Sequence, residues 1–340
     1  MKAAVFYGKD NIKVQERPKP KNEERDVLIN VAAAGVCGTD IHIYKGEWKV
    51  PTPLILGHEF SGTIEEIGGK VTKIQIGDRV VAEPNIICGE CKYCLIGERN
   101  YFCEKLEAIG VTRDGAFAEY VSVPEKNVYI LPDNISLNEA ALIEALACCI
   151  RGIENVQIKT GDAVAIVGAG PIGLILLQLA KISGASLVIQ IDMIENRLEL
   201  AKKLGADYTI NIKERDSVDV VMAVTDGYGV DVSIEAVGNP QAIEQAFKLV
   251  RRGGRLNIFG VSPQDAVWNL KPFELYDKEL TITSSYRSPF TFERAIKLVA
   301  SGRIKLKPLI THQYNLNEIK TALYIAEKKV EGAIKVLIQP

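Results

Sequence analysis

The chain has 340 residues, enough for about two domains, and 47% hydrophobic with 25% charged residues is the composition of a folded chain rather than a disordered one. Its 41 Lys+Arg against 43 Asp+Glu leave a formal net charge of -2. No dense basic run of the kind that neutralises phosphates is present, which argues against a nucleic-acid partner. The most apolar stretch, 163–182, is broken by Gly168, Gly170, Pro171, Gly173, Gln178 and Lys181 and does not read as a membrane span. Met1 to Asp10 lack the sustained apolar core of a signal peptide, so the expected location is the cytoplasm.

In chain order, short strands are expected at Val5, 27–31, 61–64, 79–82 and 119–123, broken by Gly, Pro and Asp, so the first part is largely β. From about residue 160 strand and helix alternate, with strands expected at 163–167, 187–191, 208–211, 231–235, 255–259 and 280–283. Strands separated by helix-length intervals predict a doubly wound parallel sheet, an α/β fold. After Tyr286 a helix is expected from Phe290 to near Gly302, a strand at 309–311, a helix at 316–328 and a last strand at 335–338. That tail is too short to stand alone and should pack back on the first part. The expected organisation is therefore 1–145, 146–286 and 287–340, with no internal repeat and no low-complexity linker.

Four of the seven cysteines, Cys88, Cys91, Cys94 and Cys103, fall within 16 residues in a C-x2-C-x2-C-x8-C spacing. In a chain read as cytoplasmic such a cluster points to metal rather than disulfides. Four thiolates enclose one tetrahedral Zn2+ and leave no open position, the signature of a structural site. Gly89, Lys92, Gly97 and Arg99 suit a tight polar lobe around it. Four free thiols, an iron-sulfur cluster and a nucleic-acid-binding ribbon are the alternatives; the iron-sulfur spacings differ and the charge balance opposes the ribbon.

The expected strand 163–167 runs into Gly168-Ala169-Gly170-Pro171-Ile172-Gly173, a helical pattern follows, and Asp192 closes the next strand 19 residues after Gly173. This strand, G-x-G-x-x-G, helix, strand, acid order is the dinucleotide fingerprint. Gly168 permits the tight turn, Gly170 lets backbone approach a pyrophosphate, Gly173 lets helix and sheet close up, and the helix N-terminus attracts the phosphates. Asp192 suits ribose hydroxyls and repels a 2'-phosphate, which favours NAD over NADP, although Arg197 nearby softens that preference. A glycine turn used only for packing is the alternative.

A second metal site is suggested by two segments, Cys37-Gly38-Thr39-Asp40-Ile41-His42 and Gly57-His58-Glu59, which offer a thiolate, an imidazole and a carboxylate, the ligand types of a catalytic zinc with one position left open. Residue by residue, a small buried cysteine and a backbone-capping histidine are the alternatives.

Gly57-His58-Glu59, Cys37-Gly38-Thr39-Asp40, the four-cysteine lobe, Gly77-Asp78-Arg79-Val80 and the glycine turn together resemble the zinc-containing medium-chain dehydrogenases, from about residue 2 to 338. The chain looks most like the polyol branch, the sorbitol- and iditol-type enzymes. The resemblance implies a Rossmann sheet inserted in a mainly β, GroES-like catalytic domain, two zinc ions per chain, NAD, and a homodimer or homotetramer. It implies a catalytic zinc held by Cys37, His58 and Glu59, with Glu144 binding the metal or a water on it. Since one thiolate, one carboxylate and a neutral imidazole already balance Zn2+, a further anionic ligand would weaken it as a Lewis acid, so Glu144 is expected to act through water or by exchange. Asp40 is the expected partner of the His58 ring, Thr39 and His42 the proton relay, and Tyr44 and Arg287 the substrate contacts.

The resemblance implies oxidation of a secondary alcohol to a ketone, with hydride passing to the nicotinamide. Arg287, in a Ser285-Tyr286-Arg287 stretch similar to the polyol branch, also suits a sugar acid. Ala145 stands where that branch usually has proline, and Ile43 where a sorbitol enzyme presents tyrosine. Cys37 through Trp48 also resembles threonine 3-dehydrogenase, the alternative enzyme reading. A non-catalytic dinucleotide-binding redox sensor and a zinc-lobe interaction module are readings of other classes. Cys148 and Cys149 match no ligand position and are expected to be buried or adventitious thiols.

Overall fold

The structure, a computed structural model, describes residues 1–97, 100–288 and 290–340, so Arg99 of the expected polar lobe lies outside the described residues. The chain divides into two compact units, one of residues 1–147, 288–302 and 306–340 and the other of residues 148–287 and 303–305.

The first unit opens with β1 (Lys2–Gly8), β2 (Asn11–Glu16) and β3 (Asp26–Gly35), then α1 (Gly38–Tyr44), β4 (Glu59–Ile67), β5 (Arg79–Ala82), α2 (Lys92–Ile96), β6 (Tyr120–Pro124) and β7 (Val128–Ile130). The helix α3 (Ile143–Val156) follows, and the division between the units falls within it. β3 is the hub: it pairs antiparallel with β4 on one side and with β6 on the other. Its sequence, Asp26-Val27-Leu28-Ile29-Asn30-Val31-Ala32-Ala33-Ala34-Gly35, is apolar almost throughout because both its faces are covered. Val31, Phe60, Phe117, Ile29 and Ile43 meet in the core of this unit.

The second unit holds β8 (Ala163–Val167), α4 (Pro171–Ile182), β9 (Leu187–Asp192), α5 (Glu195–Lys203), β10 (Tyr208–Asn211), α6 (Ser217–Val224), β11 (Val230–Glu235), α7 (Pro240–Leu249), β12 (Val250–Ile258), α8 (Pro272–Lys278) and β13 (Thr281–Ser284). Its six strands run parallel in the order β10-β9-β8-β11-β12-β13. The mainly β first unit and this α/β sheet are the fold class expected from the sequence. Asp216 and Asn239 cap α6 and α7 by accepting hydrogen bonds from backbone N–H groups of the first turn. One strand starts earlier than expected: β12 begins at Val250, and Gly253 and Gly254 in its irregular first half conceal it from pattern reading.

The chain returns to the first unit with α9 (Phe292–Ala300), β14 (Ile310–Asn315), α10 (Ile319–Lys328) and β15 (Lys335–Gln339). β15 pairs antiparallel with β3, so the terminal stretch completes the first unit's sheet. Arg303–Lys305 group with the second unit, where Gln178 donates to the Lys305 carbonyl at 3.2 Å and accepts from its N–H at 2.8 Å.

Candidate metal centres and dinucleotide turn

The pairing of β3 with β4 sets Gly35 opposite Glu59, and Cys37 follows β3 as the N-cap of α1. One ligand atom each of Cys37, His58 and Glu59 therefore lie within 4.8 Å of one another, with His58 and Glu59 buried. Asp40, fully buried, ties the corner together. Its Oδ2 accepts from Cys37 N at 2.9 Å, its Oδ1 accepts from Gly57 N at 3.3 Å, and Oδ1 stands 3.5 Å from His58 Nδ1. His58 Nδ1 is buried and makes no hydrogen bond among the described residues, so Asp40 stands beside it as a charge partner only. Burial alone would lower the His58 pKa, but Asp40 and Cys37 outweigh it and hold the imidazole well above its ordinary range.

Sequence reading missed Lys335. It opens β15, is 3% exposed, lies against Glu59 Oε2 and donates to the Val36 carbonyl at 3.1 Å. Burial would lower its pKa, yet Glu59, then Cys37 and Asp40, raise it. Nothing in the local pattern marks it, because its partners stand about 300 residues away in the chain and a lysine at a strand start is commonplace. With an imidazole, a thiol and two carboxylates around a single ammonium, this donor set fits a divalent ion.

The remaining expected residues fall as follows. Glu144 is buried in the first turn of α3 and is not part of the Cys37–His58–Glu59 group. Its carboxylate adds to burial in pushing Glu83, just past β5, up to about 8; Glu83 is a second residue the sequence reading passed over. Thr39 and His42 lie three apart on α1, spacing that puts them on one face. His42 Nδ1 is 2.5 Å from Glu47 Oε2. Tyr44 spends its hydroxyl on the Asp10 carbonyl at 3.3 Å. Arg287, at φ 61°, lays its guanidinium 4.6 Å from the centre of the Tyr286 ring. Cys149 is buried and Cys148 half-buried.

Cys88, Cys91, Cys94 and Cys103 gather their sulfurs into one group. Cys91 Sγ is 3.5 Å and Cys88 Sγ 3.9 Å from Cys94 Sγ, and Cys88 N donates to Cys103 Sγ at 3.3 Å. Backbone N–H groups of Glu104 and Cys94 pull Cys91 down to about 6, while burial first, and then the shared thiol of Cys91, push Cys94 up to about 12. Crowded thiols split in this way when no cation balances them, and the N–H groups already aimed at sulfur suit thiolates on a metal.

In the second unit Gly168, at φ 103°, turns the chain out of β8, and Gly170 caps α4 with Pro171 at its first turn. A Cβ on Gly173 would overlap the Gly168 carbonyl oxygen, so only glycine lets the helix start this close to the turn. β8 lies between β9 and β11, and the strand order reverses there, the position where such sheets bind nucleotides. Asp192 differs in part from expectation. Its Oδ2 accepts from Ala169 N at 2.6 Å and its Oδ1 from Met193 N and Ile194 N at 2.7 and 2.9 Å, so it also braces the turn. Gln190, buried and unremarked in the sequence, does likewise by donating to the Gly168 carbonyl at 2.7 Å. Arg197 is buried with Nη1 3.8 Å from where a side chain on Gly170 would begin; burial lowers its pKa, opposed by Asp192.

Residues 23–133 match the alcohol dehydrogenase GroES-like domain and residues 171–301 the zinc-binding dehydrogenase family. Sorbitol dehydrogenase of Bacillus subtilis (strain 168) is 38% identical over 345 residues, covering 100% of this chain and 97% of that protein. L-threonine 3-dehydrogenase of the same organism is 39% identical over 311 residues, covering 90% and 89%. A zinc-binding dehydrogenase from Sinorhizobium meliloti 1021, solved bound to NADP, superposes with a TM-score of 0.95 at 37% identity, covering 100% of this chain and 99% of that one. The fold and these likenesses define an oxidoreductase of the alcohol dehydrogenase type. The chain belongs to the zinc-binding medium-chain dehydrogenases, in their polyol dehydrogenase branch. No helix among the described residues is long and apolar enough to cross a membrane.

Proposed function

We propose that this enzyme oxidises a secondary hydroxyl of a polyol, or of a related sugar acid, to a ketone with NAD as acceptor. The observation that carries this reading is the Cys37–His58–Glu59 group, with His58 and Glu59 buried, in a chain whose second unit bears a complete glycine turn. Bound there, zinc would supply a Lewis acid that acidifies the substrate hydroxyl, and NAD would supply the hydride acceptor at C4 of its ring.

The side chains do the rest. Asp40 stands beside the His58 ring as its charge partner. The Thr39 hydroxyl takes the alcohol proton, and His42, paired with Glu47, passes it outward. Glu144 acts beside the metal, with Glu83 as its neighbouring carboxyl. With NAD bound, the alcohol would lose a hydride to it and a proton by way of Thr39, so that alcohol and NAD would give ketone, NADH and one proton. Cys88, Cys91, Cys94 and Cys103 hold a second, structural zinc. Gly168, Gly170, Pro171, Ile172 and Gly173 bind the pyrophosphate, and Asp192 and Arg197 the adenosine ribose, with NAD preferred because Asp192 would repel a 2'-phosphate. Tyr44 and Arg287 contact substrate, and the chain forms a homodimer or homotetramer in the cytoplasm.

A second reading, L-threonine 3-dehydrogenase, is favoured by the threonine enzyme's comparable identity. Initial rates of NAD and NADP reduction with sorbitol, mannitol, galactitol, arabitol, sugar acids and L-threonine separate the two. Turnover of a polyol is expected, and turnover of threonine alone overturns the reading. Metal analysis separates both from a non-catalytic sensor: zinc outside the lobe, lost in Cys37→Ala, is expected of the enzyme, whereas zinc in the lobe alone points to the sensor.

A further inference from the structure

We propose that Lys335 is a positioning residue for the metal centre: by holding Oε2 of Glu59 it leaves Oε1 alone to the ion, so Glu59 binds through a single oxygen. The proposal rests on the metal reading of Cys37, His58 and Glu59 given above.

The sheet builds this arrangement. β15 lies on β3 with Leu337 opposite Gly35, and Val36 N donates to the Val336 carbonyl at 2.9 Å. Carrying that register onward brings Lys335 level with Cys37, while β4 brings Glu59 level with Gly35 from the other side. Gly35 is what lets the two meet. A Cβ there would intrude on Glu59 Oε2 and come within 2.8 Å of Lys335 Cε. Lys335 is 3% exposed and Glu59 1%, and an ammonium is kept in such a place only when it is paired. Glu59 Oε2, buried and without a hydrogen bond, has the Lys335 ammonium against it as its ion-pair partner.

The chemistry follows from what a carboxylate can do. It binds a divalent ion through one oxygen or through both, and a catalytic centre must keep a position for its substrate. Were both oxygens of Glu59 free, the second would compete for that position. Lys335 removes the competitor by an ion pair. It also completes the charge balance: a thiolate at Cys37 with the carboxylates of Asp40 and Glu59 is neutralised by one divalent ion together with one ammonium.

The test replaces zinc at this centre by cobalt(II), leaving zinc in the cysteine lobe, and reads metal content and visible absorption of the parent and of Lys335→Met. Lys335→Gln, which is shorter and keeps N–H donors, is measured alongside in case the methionine variant fails to fold. The expected result is cobalt retained, with the d–d absorption per bound ion weakened by about twofold or more as coordination number rises. Retained cobalt with the parent's spectrum overturns the proposal alone, as does loss of cobalt from both variants, which would make Lys335 a scaffold for the whole centre. If the parent takes up no cobalt that Cys37→Ala abolishes, the metal reading itself falls, and the proposal with it.

Discussion

Replacing Glu83 by glutamine removes a carboxyl whose pKa is pushed from 4.5 to about 8, by burial first and by Glu144 second. The unfolded chain gives up this proton near 4.5, and the folded chain holds it until about 8. Across that window the unfolded state gains from ionising, so the group's contribution lowers folding stability as pH rises. The interval at about 1.4 kcal/mol per unit amounts to about 5 kcal/mol, an upper bound because the side chain is partly exposed. Glu83→Gln carries no such charge. It should therefore match the parent near pH 4.5 and exceed it increasingly toward pH 8, where the gain levels off. Urea unfolding of chelator-treated protein, compared between parent and variant at several values across that window, measures the difference. A difference independent of pH would show that Glu83 is already ionised in the folded chain and would refute the reasoning.

Gly173→Ala should push α4 away from the turn, costing about 1–3 kcal/mol and weakening NADH binding more than tenfold; fluorescence titration checks this, and parental affinity would contradict the close approach to the Gly168 carbonyl. Cys103→Ser should remove the lobe's zinc while the metal lost in Cys37→Ala stays, as elemental analysis of the two variants would show. His58, raised well above its ordinary range without metal, must shed a proton when zinc binds. Apparent zinc affinity at this centre should accordingly fall as pH is lowered, and calorimetry in buffers of different ionisation enthalpy should detect the released proton. Affinity that does not vary with pH would contradict it.

Much of the candidate site could be read from the sequence because its parts are local. The glycine turn compresses strand end, turn and helix start into six consecutive residues, and the four lobe cysteines sit close enough in the chain to be seen as one group. Asp40 was legible as the partner of His58 because Cys37, Asp40, His58 and Glu59 come from two short segments. Lys335 and Glu83 were not, since each acquires its meaning only from a residue on a distant strand or helix. Gln190 looked like an ordinary strand residue until the sheet put its amide against the turn's carbonyl.

Spacing and periodicity alone pointed to the alternation of strand and helix in the middle of the chain, to the four clustered cysteines as a candidate metal lobe and to the glycine turn as a candidate phosphate site. Those properties depend on neighbours a few residues away, where geometry is set by the backbone itself. Tertiary structure alone decided which carboxylate oxygen meets the buried lysine, which acid keeps its proton, and that Asp192 braces the glycine turn. These depend on strand register and on burial, and a shift of one residue in the pairing of β15 with β3 would turn Lys335 to the opposite face of the sheet.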